Sequence, residues 1–260
     1  MNTTLKITNT IALLATLFIN YLANTGLING NTMATVSAKY ENLFTPAGYS
    51  FAIWGIIYVF LLGFIIYQGL SLFNKAKIND FATLLGWWFV VSCVANSLWV
   101  FAWLYEFIGV SVILILILLF SLLKIIVRTN MERWDAPLKT IAFLWWPFSI
   151  YSGWITVASI ANIAAYLTKI GWDGFGLSEV FWTITMILIA GMLHLFITWN
   201  RNMREFALVG VWALIAIAVA NWEAQPTIVY TAIITAIILF LSSSFHAYNN
   251  RSTNPFVKLL

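Results

Sequence analysis

Long apolar stretches separated by short polar connections make up most of the chain. Eight of them approach the roughly 20 residues that an α-helix needs to cross about 30 Å of hydrocarbon. Because the runs are continuous and do not alternate with polar residues, they predict helices and not the strands of a β-barrel. The sequence therefore predicts an all-α fold, a polytopic membrane helical bundle of about eight transmembrane helices. The predicted spans are 6–24, 50–73, 83–105, 108–128, 139–167, 179–199, 205–221 and 227–247.

Composition excludes several classes of protein. Hydrophobic residues make up 62% of the chain and charged residues only 8%, too few charges to cover a soluble surface. The single cysteine, Cys93, rules out an intrachain disulfide, and the two histidines, His194 and His246, are far apart in sequence. No nucleotide-binding loop or catalytic set is recognisable, so we expect no catalytic residues, no metal site and no required cofactor. His194, inside the sixth span, is the one candidate for an intramembrane proton relay.

The distribution of basic residues predicts the orientation of the spans. Eleven of them lie on the side that an even number of spans gives to both termini, against two on the opposite side. This asymmetry predicts cytoplasmic termini, and it accounts for the net charge of +4 without a nucleic-acid partner. We expect the lipid bilayer as the surroundings and a bacterial inner membrane as the location. The eleven residues are Lys6, Lys75, Lys77, Lys124, Arg128, Arg133, Lys139, Arg201, Arg204, Arg251 and Lys258; the two are Lys39 and Lys169.

Three predicted spans carry stripes that combine aromatic rings with amides. Trp54 and Tyr58 are four residues apart and share one helix face, and Asn96 begins a similar stripe on the third span. An unpaired amide in hydrocarbon is costly, so these faces are expected to point into the bundle. The predicted orientation puts all the stripes in the extracytoplasmic half, which favours an aromatic-lined pocket for a flat apolar ligand. The other members of these stripes are Trp99, Trp103, Tyr151, Trp154, Ala158 and Asn162.

Two other interpretations of these residues stay open at this point. The asparagines can act as hydrogen-bonding contacts between packed helices, with no ligand involved. The tryptophans near span ends fit an interfacial aromatic belt. The tryptophans of the deeper stripes do not fit such a belt. The belt candidates are Trp87, Trp88, Trp134, Trp172, Trp199 and Trp222.

Three motifs in this order resemble the TspO family, also called tryptophan-rich sensory proteins or translocator proteins. "FTPAGYSFAIWGIIY" is similar to the family's first-loop motif, with Thr45 and Pro46 matching and Tyr49 standing in place of a tryptophan. "ANSLWVF" is similar to its Asn-x-x-Trp pattern at Asn96 and Trp99. "YSGWITVASIAN" is similar to its fifth-helix pattern at Tyr151, Trp154, Ala158 and Asn162, although Ile150 replaces the expected proline.

The resemblance implies a five-helix bundle, residues 1–167, that binds a flat hydrophobic ligand, with a tetrapyrrole such as porphyrin or haem as the expected molecule. Residues 168–260 are expected to add three further transmembrane helices. The resemblance also implies a homodimer, because members of the family often dimerise. The implied function is a membrane binding or sensory protein; the alternatives are a small-molecule permease and a porphyrin-degrading enzyme. In the binding hypothesis Thr45, Pro46 and Tyr49 shape a lid over the pocket.

Overall fold

The fold is described from a computed structural model that covers residues 2–73 and 81–251, and all regular structure in these ranges is helical. Each predicted span coincides with at least one helix. The helices are α1 (Asn2–Leu22), α2 (Met33–Lys39), α3 (Ile53–Phe73), α4 (Phe81–Leu85), α5 (Trp88–Leu104), α6 (Ile108–Arg128), α7 (Leu138–Thr140), α8 (Trp146–Lys169), α9 (Glu179–Arg201), α10 (Arg204–Ala220) and α11 (Pro226–Asn249). Lys75, Lys77 and Lys258, which contribute to the predicted orientation, lie outside the described residues.

Several of these helices have the dimensions of membrane spans, as expected of an integral multi-pass membrane protein. Within the described ranges, six helices are long and apolar enough to cross a bilayer. The helix α5 is apolar but has only 17 residues, and α10 has the same length. The predicted count of eight transmembrane helices is therefore not confirmed: the described ranges contain eight helices of 17 residues or more, of which six have the length and hydropathy of a membrane span.

Two predicted spans contain local breaks that the hydropathy pattern did not show. Gly86 has a φ of +58°, a left-handed conformation that separates α4 from α5 inside the predicted span 83–105. A π-helical turn, Ile141–Trp145, joins α7 to α8 inside the predicted span 139–167. It ends two residues before Pro147, which has no N–H to donate to the carbonyl of Phe143, so the regular α-helical ladder is interrupted there.

The chain divides into two compact units that interleave along the sequence. The first comprises Met1–Val36 and Trp54–Ser152, and the second comprises Ser37–Ile53 and Gly153–Leu260. The predicted boundary at residue 167 between a five-helix bundle and three added helices stays a prediction.

The core of the first unit is built around three phenylalanines from different helices. Phe64 of α3, Phe89 of α5 and Phe148 of α8 are fully buried. Their ring centroids lie 5.2–5.7 Å apart, and every pair meets edge to face. This is the favoured aromatic geometry, because the positive edge of one ring meets the negative face of another.

The second unit packs its helices closely through glycines. A Cβ at Gly153 of α8 would come within 2.9 Å of the Phe206 carbonyl oxygen, and one at Gly210 of α10 within 2.6 Å of the His194 ring. The His194 side chain is fully buried, and its Nδ1 lies 2.7 Å from the Ala190 carbonyl oxygen. These contacts pack His194 of α9 against α10, and its predicted role as a proton relay stays a prediction.

Candidate functional site

A row of four aromatic rings runs along α3 and α5 in the first unit. The ring centroids of Tyr58 and Trp54 are 5.5 Å apart, those of Trp54 and Trp99 are 6.1 Å apart, and those of Trp99 and Trp103 are 6.2 Å apart. Successive rings are inclined by only 29–30°. The spacing of four residues on each helix puts two rings on the same face, and the contact between Trp54 and Trp99 joins the two faces.

A hydrogen-bonded amide holds a further ring against this row. The Tyr151 ring meets Trp54 edge to face at 5.8 Å. Asn96 Nδ2 donates to the Tyr151 hydroxyl at 2.9 Å, and Asn96 Oδ1 accepts from Asn20 Nδ2 at 2.7 Å. Asn96 is fully buried, so an amide that lost these partners would carry a desolvation cost. Asn96 therefore ties α1 and α8 to α5 and fixes the orientation of the Tyr151 ring.

The members of the row differ in how far they are buried. Trp99 and Trp103 are enclosed, with 6% and 7% of their surface exposed, whereas Trp54 and Tyr58 are only half-buried. Trp54 and Tyr58 are therefore the two members of the row that keep exposed surface. The Tyr58 hydroxyl oxygen is enclosed and has no hydrogen-bond partner within the described part of the chain. A ligand that stacks here would meet the exposed parts of two flat aromatic side chains.

Further amides and hydroxyls along α1 hold the helices of the first unit together. Thr16 Oγ1 donates to the Cys93 carbonyl oxygen at 3.1 Å and lies 3.2 Å from Ser97 Oγ. Asn9 Nδ2 donates to Gln68 Oε1 at 3.0 Å. Asn9 and Gln68 are not among the predicted site residues, although an amide within an apolar run is a signal for such contacts. Their role is to fix the helices that carry the aromatic row.

The predicted lid residues belong to the second unit, where the segment 43–50 is attached to α10. The amide of Ala47 donates to the Ala216 carbonyl oxygen at 3.0 Å, and Trp212 Nε1 donates to the Ser50 carbonyl oxygen at 3.1 Å. The exposed Tyr49 ring meets Trp212 edge to face at 5.3 Å.

The ends of this segment are fixed as well. Thr45 Oγ1 accepts from the Asn42 amide at 3.0 Å, which closes a local turn before the buried Pro46. Asn221 Nδ2 donates to the Leu43 carbonyl oxygen at 3.0 Å, and the Leu43 amide donates to Glu179 Oε1 at 2.9 Å. The C-terminal helices thus provide the surface on which this segment is ordered.

The other predicted residues of α8 also lie in the second unit. Trp154 has 2% of its surface exposed, and its ring meets Phe51 edge to face at 6.2 Å. Asn162 is likewise buried, whereas Ala158 is half-buried. The structure therefore gathers Trp54, Tyr58, Asn96, Trp99, Trp103 and Tyr151 in the first unit, and it places Thr45, Pro46, Tyr49, Trp154, Ala158 and Asn162 in the second.

Within the described ranges, no three histidine, cysteine, aspartate or glutamate side chains come together in a way that suits a metal ion. The first-unit cluster contains rings, amides and hydroxyls, a chemistry that binds flat organic molecules by stacking and hydrogen bonding.

Comparison with known proteins gives one match. The model of a family described as TSPO-like protein matches residues 6–245. No curated protein and no solved structure matches the chain significantly. The match continues well past residue 167, where the resemblance seen in the sequence motifs ends, and it therefore includes most of the C-terminal helices.

Proposed function

The chain belongs to the TSPO-like protein family, and on this basis we propose that it binds a flat hydrophobic ligand within the membrane. Membership of the family and an aromatic cluster in a bundle of apolar helices fit a membrane binding or sensory role. The observation that carries the proposal is the row Tyr58–Trp54–Trp99–Trp103, in which the two side chains at one end, Tyr58 and Trp54, are only half-buried.

Stacking on this end supplies a favourable free energy of binding. A planar ligand that covers about 100 Å² of the Trp54 and Tyr58 faces gains about 2.5 kcal/mol from that burial alone. Aromatic geometry adds roughly 0.5–1.5 kcal/mol for a well-placed ring pair. The buried rings of Trp99 and Tyr151 contact Trp54 and restrict its side chain in the free protein. Ligand binding therefore costs little additional side-chain entropy.

A tetrapyrrole is the ligand that we propose for this site. Its macrocycle is flat and apolar, which suits stacking against the exposed end of the row, and its edge carries polar groups. Asn96 already hydrogen-bonds Asn20 and Tyr151, so its role would be to position the Tyr151 ring. The rings, and not Asn96, would contact the ligand.

Titration of the purified protein with protoporphyrin IX tests the proposal. The porphyrin's own absorbance is followed, because each tryptophan substitution removes one of the intrinsic fluorophores. Trp54→Leu should weaken binding at least tenfold, since it removes one of the two half-buried rings of the row. Trp222→Leu, which alters an exposed tryptophan in the loop between α10 and α11, should leave the affinity within about twofold. Equal losses in the two variants would contradict the assignment of the site.

The preference for planarity is tested by the same titration with a bent, linear tetrapyrrole of similar polarity. Stacking on the flat aromatic side chains of the row predicts much weaker binding of the bent molecule. Saturable porphyrin uptake into liposomes would instead support a permease, and loss of the porphyrin spectrum under light or oxidant would support a degrading enzyme.

We also propose that all eight long helices cross the bilayer and that both termini face the cytoplasm of a bacterial cell. The support is the excess of arginine and lysine in the connections on that side. Fusion of a fluorescent protein to the C-terminus tests this topology, because the fusion should fluoresce whereas a periplasmic phosphatase fused there should be inactive. An active phosphatase would contradict it.

A further inference from the structure

The connection between α8 and α9, residues 170–178, presents a phenylalanine on the surface of the second unit. Phe175 exposes 79% of its surface, the largest fraction of any large apolar side chain in the described ranges. Its φ is +55°, in the left-handed region that bulky residues rarely adopt. Contact of an apolar ring with water and a left-handed φ are both unfavourable, so this loop holds Phe175 outward at a cost in free energy.

Hydrogen bonds and ring contacts hold the 170–178 loop in this conformation. Asp173 Oδ1 accepts from the Phe175 amide at 3.0 Å, and Trp182 Nε1 donates to the Gly174 carbonyl oxygen at 2.8 Å. The centroid of the half-buried Trp172 ring lies 5.2 Å from that of Phe175 and 5.1 Å from that of Trp182. A Cβ at Gly174 would lie only 3.3 Å from the Trp182 ring, so glycine permits this close approach. The exposed ring therefore has a fixed support.

The ring cluster of the loop is continuous with an apolar face of α9. Phe181, Leu188, Met192 and Phe196 are exposed, and their spacing of seven and then four residues puts them on one side of the helix. In a helix that crosses the bilayer, such a side faces acyl chains. The centroids of the Phe181 and Trp182 rings lie 5.7 Å apart, which joins this face to the loop. The apolar surface of the loop thus extends the surface that α9 offers to lipid.

The charged groups of this region do not hold the loop away from lipid. Asp173 accepts a backbone N–H of the loop, and Glu179 Oε1 accepts from the Leu43 amide at 2.9 Å. Both acidic residues are exposed, so their carboxylates can stay hydrated among the headgroups. The Lys169 ammonium lies 5.6 Å from the centroid of the Tyr40 ring. One lysine against two acidic residues gives no excess of positive charge, so any attraction of this loop to a membrane is apolar.

We propose that the 170–178 loop inserts into the interfacial region of the bilayer, with Phe175 and Leu177 among the acyl chains. The loop lies between two segments with the length and hydropathy of a membrane span, Leu138–Lys169 and Glu179–Arg201, which bring its ends to the membrane surface. Transfer of the exposed Phe175 ring from water to lipid offsets the cost of presenting it. The proposal does not depend on the ligand of the aromatic row.

Quenching of a fluorescent label in phosphatidylcholine nanodiscs, with a single copy of the full-length protein in each disc, tests the proposal. The label is attached at Leu177→Cys, or at Ala38→Cys as the matched control, because Ala38 is also exposed but lies beside Lys39 on α2. The unsubstituted protein, in which Cys93 is buried, serves as the blank. Iodide quenches from water and should act at least about twofold more weakly at position 177 than at position 38. A lipid with a spin label on its acyl chain should quench at position 177 alone.

Phe175→Asn in the Leu177→Cys protein tests whether the ring is responsible. Asparagine tolerates a left-handed φ, so the loop should keep its conformation while it loses the inserted ring. Iodide should then quench the label at position 177 as strongly as the label at position 38. Phosphatidylglycerol added to the discs should leave the quenching of the Leu177→Cys protein unchanged, because the contact is apolar.

Three results would overturn the proposal. Equal quenching by iodide at positions 177 and 38 would place the loop in water. Protection of the label at position 177 from both iodide and spin-labelled lipid would show that protein covers the loop. Quenching at position 177 that Phe175→Asn does not change would show that the phenylalanine does not anchor the loop in lipid.

Discussion

Substitution of Gly210 by alanine should destabilise the second unit through one specific clash. The new Cβ would lie 2.6 Å from His194 Cδ2, 2.8 Å from Cγ and 2.9 Å from Nε2. The imidazole has little room to retreat, because it is fully buried and stands 4.7 Å from the Phe206 ring. Its Nδ1 is also held 2.7 Å from the Ala190 carbonyl oxygen.

The magnitude follows from two opposing effects. Insertion of extra atoms into a packed interior costs about 1–3 kcal/mol, and the short contacts to a ring held on two sides favour the upper end of that range. Alanine also stabilises a helix relative to glycine, by about 1 kcal/mol. We therefore expect Gly210→Ala to lower the free energy of unfolding by about 2 kcal/mol. Gly69→Ala in α3, where a Cβ meets nothing within 4 Å, should raise it slightly.

Thermal unfolding in detergent, followed by tryptophan fluorescence, compares the two variants. The midpoint for Gly210→Ala should fall below that of the unsubstituted protein, and that of Gly69→Ala should not. The clash disappears when the imidazole is removed. Gly210→Ala should therefore lower the midpoint much less in a His194→Ala variant than in the protein that retains His194. Equal midpoints for the two glycine variants, or the same cost in both backgrounds, would refute the reasoning.

Three more predictions concern single contacts. Trp212→Phe removes the hydrogen bond to the Ser50 carbonyl and should speed amide hydrogen exchange in the segment 43–50 severalfold, an effect that Trp222→Phe should lack. Asn96→Leu breaks two buried hydrogen bonds and should lower the thermal midpoint, by an amount equivalent to about 1–3 kcal/mol, and an unchanged midpoint would contradict its bridging role. Cys93, with 5% of its surface exposed, should react with a membrane-permeant maleimide only after unfolding, and rapid labelling of the folded protein would show that the thiol is accessible.

Features that depend on local spacing could be predicted from the sequence. The apolar runs predicted the long helices, and the four-residue interval between Trp54 and Tyr58 predicted their shared face. Features that depend on distant partners could not be predicted. Nothing in the sequence pairs Ser50 with Trp212 or Asn96 with Tyr151, because these contacts arise only when separate helices pack.

Breaks within helices depend on a different kind of information. Hydropathy carries no information about backbone dihedral angles. The apolar run 83–105 therefore gave no indication that Gly86 takes a left-handed φ and divides the run into two helices. Whether the twelve predicted site residues bind a ligand stays a prediction, because contacts within the protein establish proximity and not occupancy.

Extraction of the protein from its native membrane, followed by mass spectrometry of the small molecules that accompany it, addresses the central claim most directly. The row of rings predicts that a flat conjugated molecule, a tetrapyrrole by our proposal, purifies with the natural protein in near-stoichiometric amount. It also predicts that the Trp54→Leu variant, extracted in the same way, loses that molecule while the Trp222→Leu variant retains it. Identical small-molecule content in all three preparations would contradict the account.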